Sequence, residues 1–202
     1  MTTDAATTAI QQLRAEVAAI EKSLVNQEWI PGRLELRLGG TFLTRSKQID
    51  EDRRPSWFPP PRHVFDRWRT HHFTYHARLT EEAEQMLSAL WVRLLLRRSP
   101  MRRLVAAYAV AGRELLPYAE RMRSAFDATP PVLDEERVGR HIRQSGLHPA
   151  EAKDQIWRET VNEWEERHLP AAEFVEPLEP AEYAMSRAAT VMVAAVTGDI
   201  TY

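Results

Sequence analysis

Three of the chain's seven histidines, His71, His72 and His76, fall within six residues of one another, beside Asp66, Tyr75 and three arginines. Imidazole at that density suits a shared metal ion or an acid–base pair, because it titrates near neutral pH and ligates through either ring nitrogen. Secondary structure decides the geometry. On a helix, His72 and His76 stand one turn apart on one face. On a strand they share a face but lie roughly 13 Å apart, at ~3.3 Å per residue, too far for one ion held at ~2.0–2.1 Å from each nitrogen. Phe73, Thr74 and Tyr75 favour strand. Phe73, Tyr75, Ala77 and Leu79 also alternate with the polar His72, Thr74, His76 and Arg78. The expectation is a structural strand, with a polar face protonating at about pH 6–7 as the alternative, ahead of a metal or catalytic site.

Two further patterns carry chemistry. Glu165 and His168 have the Glu-x-x-His spacing of di-iron bundles, but such sites use two of these pairs, and no second one occurs in the chain. Arg93, Arg97, Arg98, Arg102 and Arg103 surround Ser99-Pro100, which reads as a helix start with serine as N-cap and proline first in the helix. Guanidinium groups at the positive end of a helix suit phosphate, nucleic acid or protein carboxylates. Residues 137–157 have the helix–turn–helix outline, yet Glu151 and Asp154 stand where the second helix would approach phosphates.

The elements that must position these groups follow from periodicity. Residues 4–26 read as a helix with Ile10, Leu13, Val17, Ile20 and Leu24 in a two-heptad seam, which packs on its own domain or on a second copy. In residues 33–45, Leu34, Leu36 and Leu38 alternate with Arg33, Glu35 and Arg37. Gly39-Gly40 then supplies a hairpin turn, and a second strand returns. Residues 46–62 form a proline-rich arm, in which Trp57 and Phe58 precede Pro59, Pro60 and Pro61 and suit docking to a partner. Asp66, Trp68 and Tyr75 are expected to tie this arm to the sheet. From Thr80 the chain reads as helix, with breaks near Ser99, Ala128, Gly146 and Leu169, and with Pro180 opening the last helix. The apolar residues around the arginines, "ALWVRLLL" at 89–96, read as core. The fold class expected is α+β, predominantly α: a helical bundle with a small antiparallel β-sheet of two or three strands in the N-terminal third. Three segments are expected: a helix at 1–28, the sheet and arm at 29–79, and a helical domain at 80–202.

Composition bounds the function. The chain has 202 residues and no cysteine, which excludes disulfides, thiolate catalysis and cysteine-based zinc sites. The net charge of −2 hides a split, with a basic excess at residues 93–123 and an acidic one at 148–202. Seven glycines leave little for phosphate-cradling loops, and no glycine-rich, Gly-x-Ser-x-Gly or His-Glu-x-x-His motif occurs. No cofactor and no metal is expected. No run approaches the ~20 apolar residues of a membrane span and the start lacks a signal-peptide pattern, so the expectation is a cytoplasmic chain with no membrane partner. These features point to a non-enzymatic structural, assembly or adaptor protein, a homo-oligomer or a fixed subunit of a larger complex, a description that a phage or virion component also fits. The alternatives are a nucleic-acid-associated protein using its Arg-rich face, and a helical metal-dependent enzyme around Glu165 and His168.

Overall fold

The computed structural model describes residues 3–51, 65–168 and 171–198. It contains α1 (Thr3–Val25), α2 (Arg33–Glu51), α3 (Phe65–Ser88), the short α4 (Leu90–Leu95), α5 (Pro100–Ala128), α6 (Glu135–Ser145), α7 (Pro149–His168) and α8 (Ala171–Thr197). The α-dominant bundle is as expected, but among the described residues there is no strand, and the β-sheet is withdrawn.

Both expected strand regions are helical for the same reason. Leu34, Leu38 and Phe42 stand at i, i+4 and i+8, with Ile49 seven further on, so two of the alternating leucines also begin a helical stripe. Leu38, Phe42 and Ile49 are buried, while Leu36, which a strand would bury beside Leu38, is exposed. In α3, His76, Leu79, Thr80 and Ala83 make the buried stripe, at spacings of three, one and three. Three alternating positions fit either period. Packing against a helix on one side selected the helical one.

Gly39 and Gly112 are close-approach positions and not turn residues. A methyl group on Gly39 would overlap Val196 of α8 and press on Met101 of α5, and one on Gly112 would overlap Thr80 of α3. Their missing side chains leave room for the Val196 side chain of α8 against α2 and for the Thr80 side chain of α3 against α5. Thr80, expected as an N-cap, lies inside α3 with its hydroxyl donating to the His76 carbonyl at 2.7 Å.

α5 is the central element, about 43 Å long at 1.5 Å per residue. It packs against α1, α3 and α8, and α2 packs on α8, α3 and α5. Leu104, Val105, Tyr108, Ala111 and Leu115 of α5 lie in one continuous core with side chains from α1 to α4 and from α8. The heptad residues Ile10, Leu13, Val17, Ile20 and Leu24 are all buried in that core. The seam therefore packs inside the chain, against α5 and α8.

Helix ends follow local chemistry. Asp134 caps α6, accepting from the Arg137 amide at 3.0 Å, and Gly146 stops it in the left-handed region at φ 67°. Pro149 begins α7. The last helix begins earlier than Pro180, at Ala171. α6 and α7 form a helical hairpin that touches the bundle through α3. The indole N–H of Trp164 on α7 also donates to the Thr129 carbonyl at the end of α5.

Candidate interaction surface at the α4–α5 corner

The helices α3 and α5 lie side by side, and α4 with the turn to Ser99 makes the tip that joins them. Ala89 breaks the helix with an extended backbone, φ −60° and ψ 133°, and α4 follows for six residues. Five of those six residues are apolar. Val92 is buried and anchors the tip together with Leu96, four residues on. Leu90 and Leu94, also four apart, point away and are 70% and 61% exposed, with Leu95 at 63%. A six-residue helix has one inward face, so the remaining leucines face water. Single exposed leucines are ordinary, but three within one turn and a half form a patch. Trp91 packs at the margin of the core, with the Arg37 guanidinium of α2 lying 5.1 Å from the centre of its ring.

Arginines frame this patch. Arg93, Arg97 and Arg98 are exposed, and Arg102 is half-buried. Arg103 pairs with Glu16 of α1 at 3.2 Å and also reaches the Arg98 carbonyl at 3.5 Å. Among the described residues no carboxylate reaches Arg93, Arg97, Arg98 or Arg102. Ser99 occupies the N-cap position of α5, but its hydroxyl caps nothing. Its Oγ and the Arg102 Nε are both buried without a hydrogen-bond partner. The α5 dipole adds positive potential to the same corner.

The histidine segment ends up elsewhere. His72 and His76 lie one turn apart along α3, but His76 is 4% exposed and faces the core. Its Nδ1 lies 2.5 Å from the Tyr108 hydroxyl of α5, and either atom serves as donor depending on the tautomer. Phe42 meets the Tyr108 ring edge-on at 5.3 Å, and Tyr75 shares a hydrogen bond with Ser46 of α2. Burial pushes the Tyr108 hydroxyl well above its ordinary 10.0, and the Tyr75 hydroxyl nearby adds to the shift. Substrate does not reach this pair. It clamps α3 to α5 with its polar groups satisfied.

His168 is committed to its own helix: Nδ1 lies 2.9 Å from the Trp164 carbonyl, and its ring stacks on the Trp164 indole at 5.0 Å. Among the described residues no three His, Asp or Glu side chains converge as a metal ion requires. In the helix–turn–helix outline most of the cations are engaged by the chain's own acids, Arg143 being the exception among the described residues. Arg137 bridges Glu163 and Glu159 at 2.9 and 2.8 Å, Lys153 reaches Glu135 at 3.0 Å, and Arg158 reaches Asp154 at 2.6 Å. The Glu163 hydrogen bond, opposed by partial desolvation and helped by both carboxylate charges, holds Arg137 more firmly protonated than usual.

Trp57, Phe58, Pro59, Pro60 and Pro61 lie outside the described residues, as do the side chains of Asp66 and Trp68. The exposed leucines of α4 were not distinguished in the sequence from core leucines. The signal was present, since five apolar residues in six exceed what one buried face of so short a helix can take. No helix among the described residues is long and apolar enough to cross a membrane. Searches against protein families, curated proteins and solved structures find no match to this chain.

Proposed function

We propose that this chain is a non-enzymatic assembly or adaptor protein, a homo-oligomer or a fixed subunit of a larger complex, and that the α4–α5 corner is its contact surface. One observation carries the reading: Leu90, Leu94 and Leu95 stand exposed among four arginines that no described carboxylate meets. Apolar groups at the centre and charge around them make the pattern of a protein contact, in which the leucines are desolvated and the arginines select an acidic partner. Nucleic acid suits the arginines alone, since phosphate gains nothing from the leucines between them.

Sedimentation of the purified chain tests this at low and high salt. The expected result is a mass above the monomer at low salt that falls as salt rises, because exposed charge contacts are screened over ~10 Å at 0.1 M. Leu94→Ser with Leu95→Ser should lower the mass without changing the melting curve. A chain monomeric at both salts removes self-assembly. Duplex DNA or RNA binding that is lost on Arg97→Glu with Arg98→Glu, and kept when Leu94 and Leu95 are replaced, assigns the corner to nucleic acid instead.

A further inference from the structure

Among the described residues, the buried side-chain polar atoms left without a hydrogen bond are the Ser99 hydroxyl and the Arg102 Nε, and both belong to the start of α5. Native interiors hold few such atoms, because a buried donor without an acceptor keeps its desolvation cost and gains nothing in return. Ser99 is 6% exposed and stands at the N-cap, where a side chain lies over the amides of the first turn. Arg102 follows three residues later, on the same face of the helix.

The backbone there lacks acceptors too. Pro100, first in the helix, has no N–H to satisfy. Among the described residues nothing accepts from the Met101 or Arg102 amide, and the first bonded amide is that of Arg103, which donates to the Ser99 carbonyl at 3.1 Å. The chain supplies no remedy nearby, since no aspartate or glutamate occurs between Glu84 and Glu114. Glu16 of α1 reaches this end of α5, and it pairs with Arg103.

We infer that the start of α5 is a socket for one phosphate group, free or esterified. A tetrahedral oxyanion offers acceptors in several directions at once, as the Ser99 hydroxyl, the two amides and the Arg102 Nε require. A carboxylate offers two oxygens in one plane. The anion sits at the positive end of a 29-residue helix, with the exposed Arg97 and Arg98 beside it. Ser99 and the fully buried Met101 place the socket beneath the surface. Arg102, half-buried and held by no described carboxylate, is the side chain that turns outward to admit the anion. The socket is separate from the exposed leucines of α4 and goes beyond the reading of those leucines as a protein contact.

Titration of the full chain with inorganic phosphate tests this, by calorimetry and by thermal unfolding against chloride at matched ionic strength. Phosphate should bind saturably and raise the melting temperature, since a ligand of the folded state stabilises it. Ser99→Ala, and Arg102→Lys, which keeps the charge and loses the Nε donor, should each weaken phosphate binding about tenfold or more, the loss of one hydrogen bond to a charged group. Leu94→Ser with Leu95→Ser should leave phosphate binding intact, so the socket and the protein contact stand or fall separately. Methyl phosphate that competes with inorganic phosphate assigns the socket to an esterified group, and exclusion of the ester assigns it to the free ion. Acetate or chloride that stabilises as well as phosphate overturns the socket in favour of general screening of the arginines. Undiminished binding to both Ser99→Ala and Arg102→Lys overturns it as well, moving the anion to the exposed guanidinium groups. So does a Ser99→Ala chain that melts lower without phosphate, because the hydroxyl then caps α5 itself.

Discussion

The α6–α7 hairpin and the α4–α5 corner are both helical, both Arg-rich, and they use their charges in opposite ways. In the hairpin, Arg137, Arg140, Lys153, Arg158 and Arg167 each reach a carboxylate of α6, α7 or the α6 cap, and among the described residues Arg143 does not. At the corner, among the described residues, only Arg103 reaches one. Among the described residues the hairpin also exposes no large apolar side chain, whereas the corner exposes three leucines. A basic stretch in a sequence is thus silent about partners until the positions of the acids are known. Charges satisfied at home contribute modestly to structure, and charges left over beside apolar surface mark a contact.

The largest expected effect separates the two regions directly. Arg97→Glu with Arg98→Glu should abolish low-salt assembly and leave the melting curve unchanged. Arg137→Glu should do the reverse, keeping the assembled mass while hydrogen exchange in α6 and α7 speeds up, because Glu159 and Glu163 then face a like charge. If the hairpin variant dissociates the assembly and the corner variant does not, the comparison is inverted.

The corner keeps its shape only while α3 and α5 are held together, and Gly112 sits against Thr80 where they meet. Gly112→Ala drives a methyl group into Thr80, an overpacking that costs about 1–3 kcal/mol. The helix preference of alanine recovers at most about 1 kcal/mol of this. Thermal unfolding should show the loss, and Thr80→Ala in the same chain should restore part of it. Full tolerance of alanine at 112 would mean the two helices are not in such close contact.

pH divides the regions as well. The Tyr108 hydroxyl has its pKa raised by burial, so in the folded chain it stays protonated above the range in which a free tyrosine ionises. The unfolded chain then binds fewer protons, and stability falls as pH rises. The contribution is complete below about pH 10 and is lost above it, at up to about 1.4 kcal/mol per pH unit. Denaturant unfolding of Tyr108→Phe should lack that share of the alkaline slope. The hairpin responds at the acid end. Asp134 is held below the ordinary carboxylate range chiefly by the Arg137 amide, against slight desolvation, so its cap is present above that range and fails as pH falls through the lowered value.

Residue chemistry made some of this architecture legible and packing hid the rest. Asp134, Gly146, Ser99-Pro100 and Pro149 announced their helix ends, because caps and breakers act over one turn. Leu34, Leu36 and Leu38 misled, because three positions cannot distinguish a period of two from one of 3.6 when i and i+4 are both apolar. The histidine run misled similarly. Its β-forming residues were overridden by the stripe of His76, Thr80 and Ala83 laid against Gly112 and Tyr108, and a tertiary partner 32 residues away is invisible to local pattern. The corner arginines were visible by type, but that four of the five meet no described carboxylate and sit beside exposed leucines is a property of the fold.

The smallest expected effect sharpens the comparison most, because each region starts a helix with a capping residue. Asp134 accepts from the Arg137 amide and works as a cap, so Asp134→Ala should destabilise α6, and the acid-side change in hairpin hydrogen exchange should vanish with it. Ser99 holds the same position on α5 with its hydroxyl buried and unbonded. Removing a working serine cap costs about 1 kcal/mol. Removing an unsatisfied buried hydroxyl costs nothing and relieves its desolvation. Ser99→Ala should therefore leave the monomer's melting unchanged or slightly raised. A loss of about 1 kcal/mol in the monomer would show instead that Ser99 caps α5 in solution, and the corner would then differ from the hairpin only in its arginines and leucines.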